Sequence, residues 1–236
     1  MNPAALADLM EATWPPASRV RIGPWTIRDG KGGGKRVSAA TADGEWVDEE
    51  IVFAEKAMED LGQTPLFLIR EPDVLLDQAL QARGYRVVDP VVAYSAPVGQ
   101  LLDASLSPMA AFAHWPPLAV CFDTWSEGGI GPARWDVMKR VSGPKTAILA
   151  RTNDRPSGVA FVAAEGNAAM LHALEVAQSA RRQGSARNIM HKAAEWAQNN
   201  GAESLSLVVT VANSPARALY TSLGMAVTGQ YHYRMR

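Results

Sequence analysis

The chain has 236 residues, of which 47% are hydrophobic, with 23 Lys plus Arg against 24 Asp plus Glu. These values are ordinary for a globular protein with one large domain or two small ones. The near-zero net charge excludes a global electrostatic field for nucleic acid or an anionic membrane, so we expect neither as a partner. The single cysteine, Cys121, excludes an internal disulfide framework and a cysteine-rich metal site.

The N-terminal segment carries no sign of a targeting signal. Residues 1–16 lack a basic stretch followed by an apolar run, and no stretch of the chain approaches the roughly 20 apolar residues that span a bilayer. Together with the lone cysteine, this predicts a cytoplasmic protein. The sequence leaves the oligomeric state open, a homodimer included.

Residues 1–98 show a short α/β pattern. In chain order we predict strands at 25–28 and 36–41 around a glycine-dense turn, a helix at 47–61, a strand at 65–70, a helix at 73–83 and a strand at 85–94. Gly62 and Gly84 follow the two helices, as is typical of helix C-termini. We therefore predict a smaller α/β unit over this range.

The next segment, residues 99–117, is rich in Ala, Pro and Ser and is predicted to be a linker with one helical turn or two. Residues 118–236 give a sharper pattern. We predict helices at 118–125 and 132–141, strands at 146–151, 158–164 and 169–176, a helix at 184–199, a strand at 204–211, a helix at 215–223 and a strand at 225–233. This order predicts an α/β (α+β) fold on a mixed sheet.

The third strand of this unit runs through a short loop directly into a helix at Gly184. The first N–H groups of a helix have no intrahelical acceptor, so this start can bind a phosphate. Gly184 permits close approach, Ser185 and Ala186 keep the first turn uncrowded, and Arg181 and Arg182 add positive charge. The loop contains neither a dinucleotide Gly-x-Gly-x-x-Gly nor a P-loop Gly-Lys-Ser/Thr. By itself it equally fits an exposed basic loop before an ordinary helix.

Two motifs carry a resemblance to the GNAT acetyltransferase superfamily. Val176, Arg181, Gly184 and Ala186 match its pyrophosphate pattern, a strand-ending Val followed by Gln/Arg-x-x-Gly-x-Gly/Ala. Residues 213–225 are similar to its second signature, Asn-x-x-Ala-x-x-Leu-Tyr-x-x-x-Gly-Phe, with Met in place of the final Phe. The resemblance implies that residues 118–236 form a GNAT domain on a mostly antiparallel mixed sheet with flanking helices.

The resemblance also implies a reaction. A GNAT-type N-acetyltransferase would use acetyl-coenzyme A as co-substrate, without a metal, and move an acetyl or short acyl group to a primary amine of a small molecule in a ternary complex. The backbone at Leu174 and Val176 would pair with the pantetheine arm. The pyrophosphate would be held by the loop and the first helical turn, namely Arg181, Arg182, Gln183, Gly184, Ser185 and Ala186. Asn213 would be a helix cap, a cofactor contact, or both.

Tyr220, in the second motif, is the predicted catalytic acid, because a phenol with an ordinary pKa of about 10 can protonate a leaving thiolate. The structural alternative is a packed helix residue with its hydroxyl at the surface. For the base, strand alternation puts His172 and Glu175 on opposite faces, with His172 on the face of Leu174 and Val176. We therefore name His172 as candidate base or relay, with ordered water as the alternative.

A weak internal repeat links the two units. Trp14-Pro15-Pro16 recurs as Trp115-Pro116-Pro117, and residues 79–85 parallel residues 219–225. On this alignment Leu80 takes the place of Tyr220, and the acidic residues 48–50 open the helix that would face a pyrophosphate. We interpret residues 1–98 as a degenerate GNAT-like domain that cannot hold coenzyme A and instead helps to shape the acceptor pocket.

Two other functions remain open at this point. A non-catalytic acyl-coenzyme A binder or sensor would keep the GNAT shape and the cofactor motifs without turnover. A nucleotide-binding protein would use the same helix start, although no Lys-Ser/Thr pair follows Gly184.

Overall fold

The structure, a computed structural model, describes residues 2–236. Its helices are α1 Pro3–Thr13, α2 Ile51–Asp60, α3 Val74–Ala82, α4 Val98–Leu101, α5 Ala119–Glu127, α6 Pro132–Arg140, α7 Ser185–Asn199 and α8 Ser214–Ser222. Its strands are β1 Ser18–Ile22, β2 Trp25–Asp29, β3 Thr41–Ala42, β4 Leu66–Arg70, β5 Arg86–Pro97, β6 Ala111–His114, β7 Lys145–Thr152, β8 Arg155–Glu165, β9 Ala168–Val176, β10 Ser204–Thr210 and β11 Ala226–Met235. None of the helices in this range has the length and apolar character that crossing a membrane requires.

Eight strands form one sheet in the order β4-β11-β5-β10-β9-β8-β7-β6. All neighbouring pairs are antiparallel except β9 and β10, which are parallel. The predicted mixed, mostly antiparallel sheet with flanking helices is confirmed. Strands β1, β2 and β3 form a separate small sheet.

The large sheet has two covered faces. On the first, called the α7 face, α7 presents Ile189, Met190, Ala193 and Ala194 at helical spacing to the core of the sheet. On the second, called the α1 face, α1 packs Leu6, Leu9 and Met10 against the sheet, and α5 and α6 add Trp125 and Val137. Each large apolar side chain buried in this way contributes roughly 1.5–3 kcal/mol to folding.

One predicted strand is wrong. Residues 36–41 were expected to be extended, but Lys35–Val37 is a one-turn 3₁₀ helix and only Thr41–Ala42 forms a strand. Gly34, at φ +101°, turns the chain so that Val37 enters the core beside Trp125, and the amides of residues 38 and 39 bond back to the Lys35 carbonyl. Tertiary packing of Val37 therefore overrides the local strand preference.

Three elements, α1, β1 and β6, were not predicted. Helix α1 begins after Asn2, whose side chain accepts a hydrogen bond from the Ala5 amide at 2.8 Å, with Pro3 in its first turn. Strand β1 is exposed along its whole length, although its residues 19–22 alternate between polar and apolar.

Strands from both predicted units join the large sheet. Residues 66–97 supply β4 and β5, and the last strand of the chain order, β11, lies between them. The segment predicted as a linker, residues 99–117, carries the end of α4 and the edge strand β6, which pairs with β7. The sheet is therefore continuous across the predicted domain boundaries.

The unit β4-α3-β5 recurs as β10-α8-β11 at a constant spacing of 140 residues, from Val74 to Ser214 and from Ala82 to Ser222. The strand registers repeat at the same spacing. Arg70 pairs with Tyr231 as Thr210 pairs with Val91, and Leu66 pairs with Met235 as Ser206 pairs with Ser95. The first strand of each unit thus pairs with the last strand of the other unit. The two-fold axis that relates the two units lies near the Val91–Tyr231 pair.

Candidate active site

Strands β9 and β10 separate inside the sheet. They pair from Ala168 and Ser204 to Leu171 and Leu207, and both continue beyond that point without further pairing. Past Leu171, β9 keeps its partner β8 on one edge only. The stretch that holds Leu174 and Val176 therefore offers unpaired backbone groups to a slot that opens between the two strands.

A β-bulge lies at the mouth of this slot. Ala173 has φ +51°, and the register of β9 with β8 shifts between the His172–Phe161 and Glu175–Val159 pairs. An extra residue in one strand reverses the alternation of the side chains that follow it. His172 and Ala173 therefore both lie on the α1 face, whereas Leu174 packs into the core of the α7 face.

The predicted faces on β9 are therefore wrong. His172 does not share its face with Leu174, and Val176 lies near Ile189 of α7. Glu175 packs against Gly128, at the end of α5, which places it on the α1 face together with His172. Sequence alternation could not reveal this, because a bulge leaves no periodic signal.

Helix α7 begins at the end of the slot. Its N-cap residue is Gly184, at φ +88°, and no side chain caps the helix start, whereas Asn2 caps α1 and Asn213 caps α8. A Cβ built on Gly184 would meet nothing within 4 Å. The first amides of α7 are therefore free to bind an anion, and the helix dipole favours one.

The loop before α7 is held by its own side chains. Arg181 donates to the Val176 carbonyl and to the Glu175 carboxylate, each at 3.3 Å, and Gln183 donates to the Ser179 carbonyl at 3.0 Å. Arg182 is exposed.

The first residues of α7 differ in their surroundings. The Ser185 hydroxyl is buried 3.0 Å from the Thr152 hydroxyl, and Ala186 is half-buried. The Ser185 side chain therefore anchors the first turn of α7, and the backbone amide of Ser185 stays available to a ligand.

Tyr220 lies in α8 on the α7 face, with 5% of its surface exposed and its ring centre 5.7 Å from that of Tyr94. Burial raises the pKa of Tyr220 to about 12, so the phenol is protonated at neutral pH. Asn213, at the start of the same helix, accepts a hydrogen bond from the Ala216 amide at 3.2 Å, as a helix cap does.

His172 is 4% exposed, and both ring nitrogens are engaged. Arg36 lies 2.9 Å from Nδ1 and the Thr13 hydroxyl lies 2.9 Å from Nε2. Arginine only donates, so Nδ1 accepts, and Nε2 therefore carries the proton and donates to Thr13. Burial, with a smaller effect of the Arg36 charge, holds the pKa of His172 well below its usual range.

This geometry does not suit the predicted role of His172 as a base. A base needs a free lone pair near the reacting amine, and the only acceptor nitrogen of His172 already bonds to a cation. Arg36 and His172 are 136 positions apart in the sequence, so no local sequence pattern indicates that they are in contact.

A cleft of about 260 Å³ lies on the α1 face beside the slot. Its walls come from β9, from β10, and from the loop and strand residues of the N-terminal segment, including Gly33–Arg36 and Asp89. A small molecule in this cleft would lie on the opposite side of the sheet from α7.

A sheet that opens between two parallel strands beside an uncapped helix led by glycine defines a class of protein, the acyl-coenzyme A transferases with the GNAT fold. The sequence model of the acetyltransferase (GNAT) family matches residues 115–225. Residues 115–225 thus belong to this family, and the chain is a GNAT-type acetyltransferase. The family uses acetyl-coenzyme A as co-substrate.

Relatives match nearly the whole chain. The "Uncharacterized N-acetyltransferase YobR" of Bacillus subtilis is 25% identical over 97% of this chain and 96% of its own length. A GCN5-related N-acetyltransferase from Kribbella flavida has the same fold, with a TM-score of 0.75, 18% identity and coverage of 100% and 96% of the two chains. A tandem GNAT protein from the clavulanic acid biosynthesis pathway superposes with a TM-score of 0.62 at 13% identity, over 99% and 88% of the two chains.

Proposed function

We propose that the protein transfers an acetyl or another short acyl group from coenzyme A to a primary amine of a small molecule, in a ternary complex. The observation that carries this proposal is that the slot between β9 and β10 leads directly to the start of α7. The unpaired edge of β9 after Leu171 leads directly to the free amides at Gly184. A long thin cofactor with a diphosphate and an amide-rich arm fits both features at once.

In this proposal the cofactor follows β9 on the α7 side of the slot. The diphosphate binds the amides from Gly184 through Ala186, with Arg181, Arg182 and Gln183 at its edge. The pantetheine amides pair with the backbone at Leu174 and Val176. Arg181 then leaves the Val176 carbonyl, which it occupies in the free protein.

The chemistry needs only two positioned substrates and two proton transfers. The amine nitrogen attacks the thioester carbonyl, a C–N bond forms, the C–S bond breaks, and no covalent enzyme intermediate is required. We assign Tyr220 as the acid that protonates the leaving thiolate, because its phenol holds its proton at neutral pH. Solvent then reprotonates Tyr220.

We assign loss of the amine proton to ordered water in the cleft. Glu175 is the only carboxylate of β9, and it lies on the acceptor side. His172 has a positioning role instead, because its acceptor nitrogen is held by Arg36.

The direct test combines binding and turnover. Isothermal titration with acetyl-coenzyme A, desulfo-coenzyme A and ATP should give one site per chain that prefers coenzyme A. Thiol release should then follow for at least one member of a broad panel of primary amines. Binding without turnover on any amine would favour the acyl-coenzyme A binder, and tighter binding of ATP would favour the nucleotide-binding protein.

We also propose that residues 1–98 are a degenerate GNAT-like domain, joined by residues 99–117 to the GNAT domain at 118–236. The repeated registers at a spacing of 140 residues support a common origin. Leu80, fully buried, stands where Tyr220 stands in the second copy, and it cannot donate a proton. The first copy therefore lacks the acid and contributes to the acceptor cleft instead.

A further inference from the structure

Arg36 is a guanidinium from the N-terminal segment that lies beside His172 in the cleft. Its carbon is 5.8 Å from the centre of the Trp14 ring, and its Nε is buried without a hydrogen-bond partner among residues 2–236. Its bond to His172 is to a neutral ring. No carboxylate in the described part of the chain pairs with Arg36.

Other partly buried arginines of the same segment have counter-ions. Arg28 pairs with Glu11 at 2.8 Å, and Arg70 pairs with Asp43 and Asp73, each at 2.9 Å. Removing a charged group from water is unfavourable unless an opposite charge and hydrogen bonds replace the water. The contrast indicates that the counter-ion of Arg36 arrives with a ligand.

The other charges of the cleft favour the same sign of ligand. Asp89 is the one carboxylate among the described residues that line it, and Lys35 already pairs with Asp89 at 2.8 Å. Arg134 adds an exposed cation at the rim. The cleft is therefore positive, which disfavours polycationic amines and favours an amine that carries an anionic group.

The coenzyme A diphosphate cannot be this anion. Its proposed site at the start of α7 belongs to the α7 face, whereas Arg36 lies on the α1 face with His172 and Trp14. The sheet stands between the two sites. Only a molecule that occupies the acceptor cleft can reach the guanidinium.

The orientation of Arg36 is fixed by a chain of hydrogen bonds. The Thr13 hydroxyl donates to the Leu9 carbonyl at 2.6 Å and accepts from His172 Nε2, whose Nδ1 accepts from Arg36. This series of hydrogen bonds holds one guanidinium nitrogen of Arg36 against β9. The remaining terminal nitrogen can then donate to a ligand in the cleft, in a charge-assisted hydrogen bond of the kind that a carboxylate accepts.

We propose that the acceptor is an amine that also bears a carboxylate, and that Arg36 binds this carboxylate while the amine reaches the thioester through the slot between β9 and β10. This inference rests on the proposed acetyl transfer. Thr13 and His172 are positioning residues for the guanidinium. Arg36, which selects the acceptor, is thus supplied by residues 1–98, the segment that lacks the catalytic motifs.

The test compares amines that differ only in the carboxylate, such as glycine with glycinamide and β-alanine with β-alaninamide. The carboxylates should be used with about 10- to 100-fold higher kcat/KM, the range of a charge-assisted pair. In Arg36→Gln this preference should vanish while the Kd of acetyl-coenzyme A is unchanged, and Arg36→Lys should retain part of it. Arg86→Gln, the matched control at an exposed arginine outside the cleft, should change kcat/KM by no more than about threefold, as exposed charges do.

A binding measurement separates failure of this inference from failure of the proposed function. N-acetylglycine and N-acetylglycinamide are titrated while the fluorescence of the protein, to which Trp14 contributes, is followed in wild type and Arg36→Gln. Equal use or equal binding of carboxylate and amide, or a carboxylate preference that survives Arg36→Gln, would overturn the inference. Arg36-dependent carboxylate binding without acetyl-coenzyme A binding would support the anion site and overturn the proposed function.

Discussion

The helix starts of α7 and α2 precede corresponding strands in the two halves and have opposite electrostatic character. Helix α2 follows a turn of three acidic residues, Asp48–Glu50, and the Glu50 carboxylate bonds to the Val47 amide at 3.0 Å. Helix α7 follows Gly184 and has no side-chain cap. Neither helix has a side-chain cap, but the three carboxylates before α2 repel an anion, whereas glycine and a basic loop precede α7. The charge of the residues that precede the helix is thus what makes one of the two starts a candidate binding site.

The largest expected effect is the loss of activity when Tyr220 is replaced, compared with replacement of its counterpart Leu80. In Tyr220→Phe, kcat should fall by about 100- to 10 000-fold because the leaving thiolate loses its proton donor, while the Kd of acetyl-coenzyme A stays the same. Leu80→Met, the control in the other copy, should leave kcat unchanged. Steady-state kinetics with saturating acetyl-coenzyme A measure both. A Tyr220→Phe enzyme with nearly full kcat would mean that the ring serves packing alone.

The next effect makes the start of α7 resemble that of α2. Gly184→Glu should raise the Kd of acetyl-coenzyme A by about 10- to 100-fold, because a carboxylate and a Cβ then stand at the anion site. Gly201→Ala is the control, since Gly201 has φ +81° at the far end of the same helix. Isothermal titration compares the two. Similar losses in both variants would point to general strain instead of a lost phosphate site.

A third, smaller effect concerns pH and His172. Its pKa is lowered on folding, so below about pH 6.5 the unfolded chain takes up a proton that the folded chain does not. The contribution of His172 to stability is therefore full above pH 6.5 and declines by about 1.4 kcal/mol per pH unit below it. His172→Gln should remove this slope from urea unfolding measured between pH 7.5 and 5.5. Thr13→Ser, which keeps the hydroxyl, should preserve it; an unchanged slope in His172→Gln would refute the assignment.

The smallest effect compares the caps of α8 and α3. Asn213 caps α8, whereas Asp73, its counterpart, bonds to Arg70 and provides no cap to α3. Asn213→Ala should lower the free energy of unfolding by about 1 kcal/mol, and Asn213→Asp should restore it. Urea unfolding measures the stability. A change in acetyl-coenzyme A affinity in Asn213→Asp would show that the side chain also contacts the cofactor.

The elements of the second half follow closely from the sequence because their signals are local. Apolar periodicity predicts α7, apolar runs between turn-prone residues predict β7 to β9, and the two motifs predict the family. The helix start at Gly184 is also visible in the sequence, although the loop alone equally fits an exposed basic loop before an ordinary helix.

The acceptor side depends on features without a local signal. The bulge at Ala173 reverses the faces of β9, and so it places Glu175, not Leu174, beside His172. Arg36 reaches His172 only because residues 30–37 fold back against a sheet built largely from the other half. Long-range pairing of this kind is set by the packing of the whole chain, and a single sequence does not display it.

The placement of β11 between β4 and β5 also constrains how the protein is made. During synthesis the first half leaves the ribosome with two strands that flank an empty position, and their intended neighbour follows only after residue 226. Until that strand emerges, the apolar edges of β4 and β5 lie open to wrong partners. Completion of the sheet therefore waits for the strand that follows residue 226.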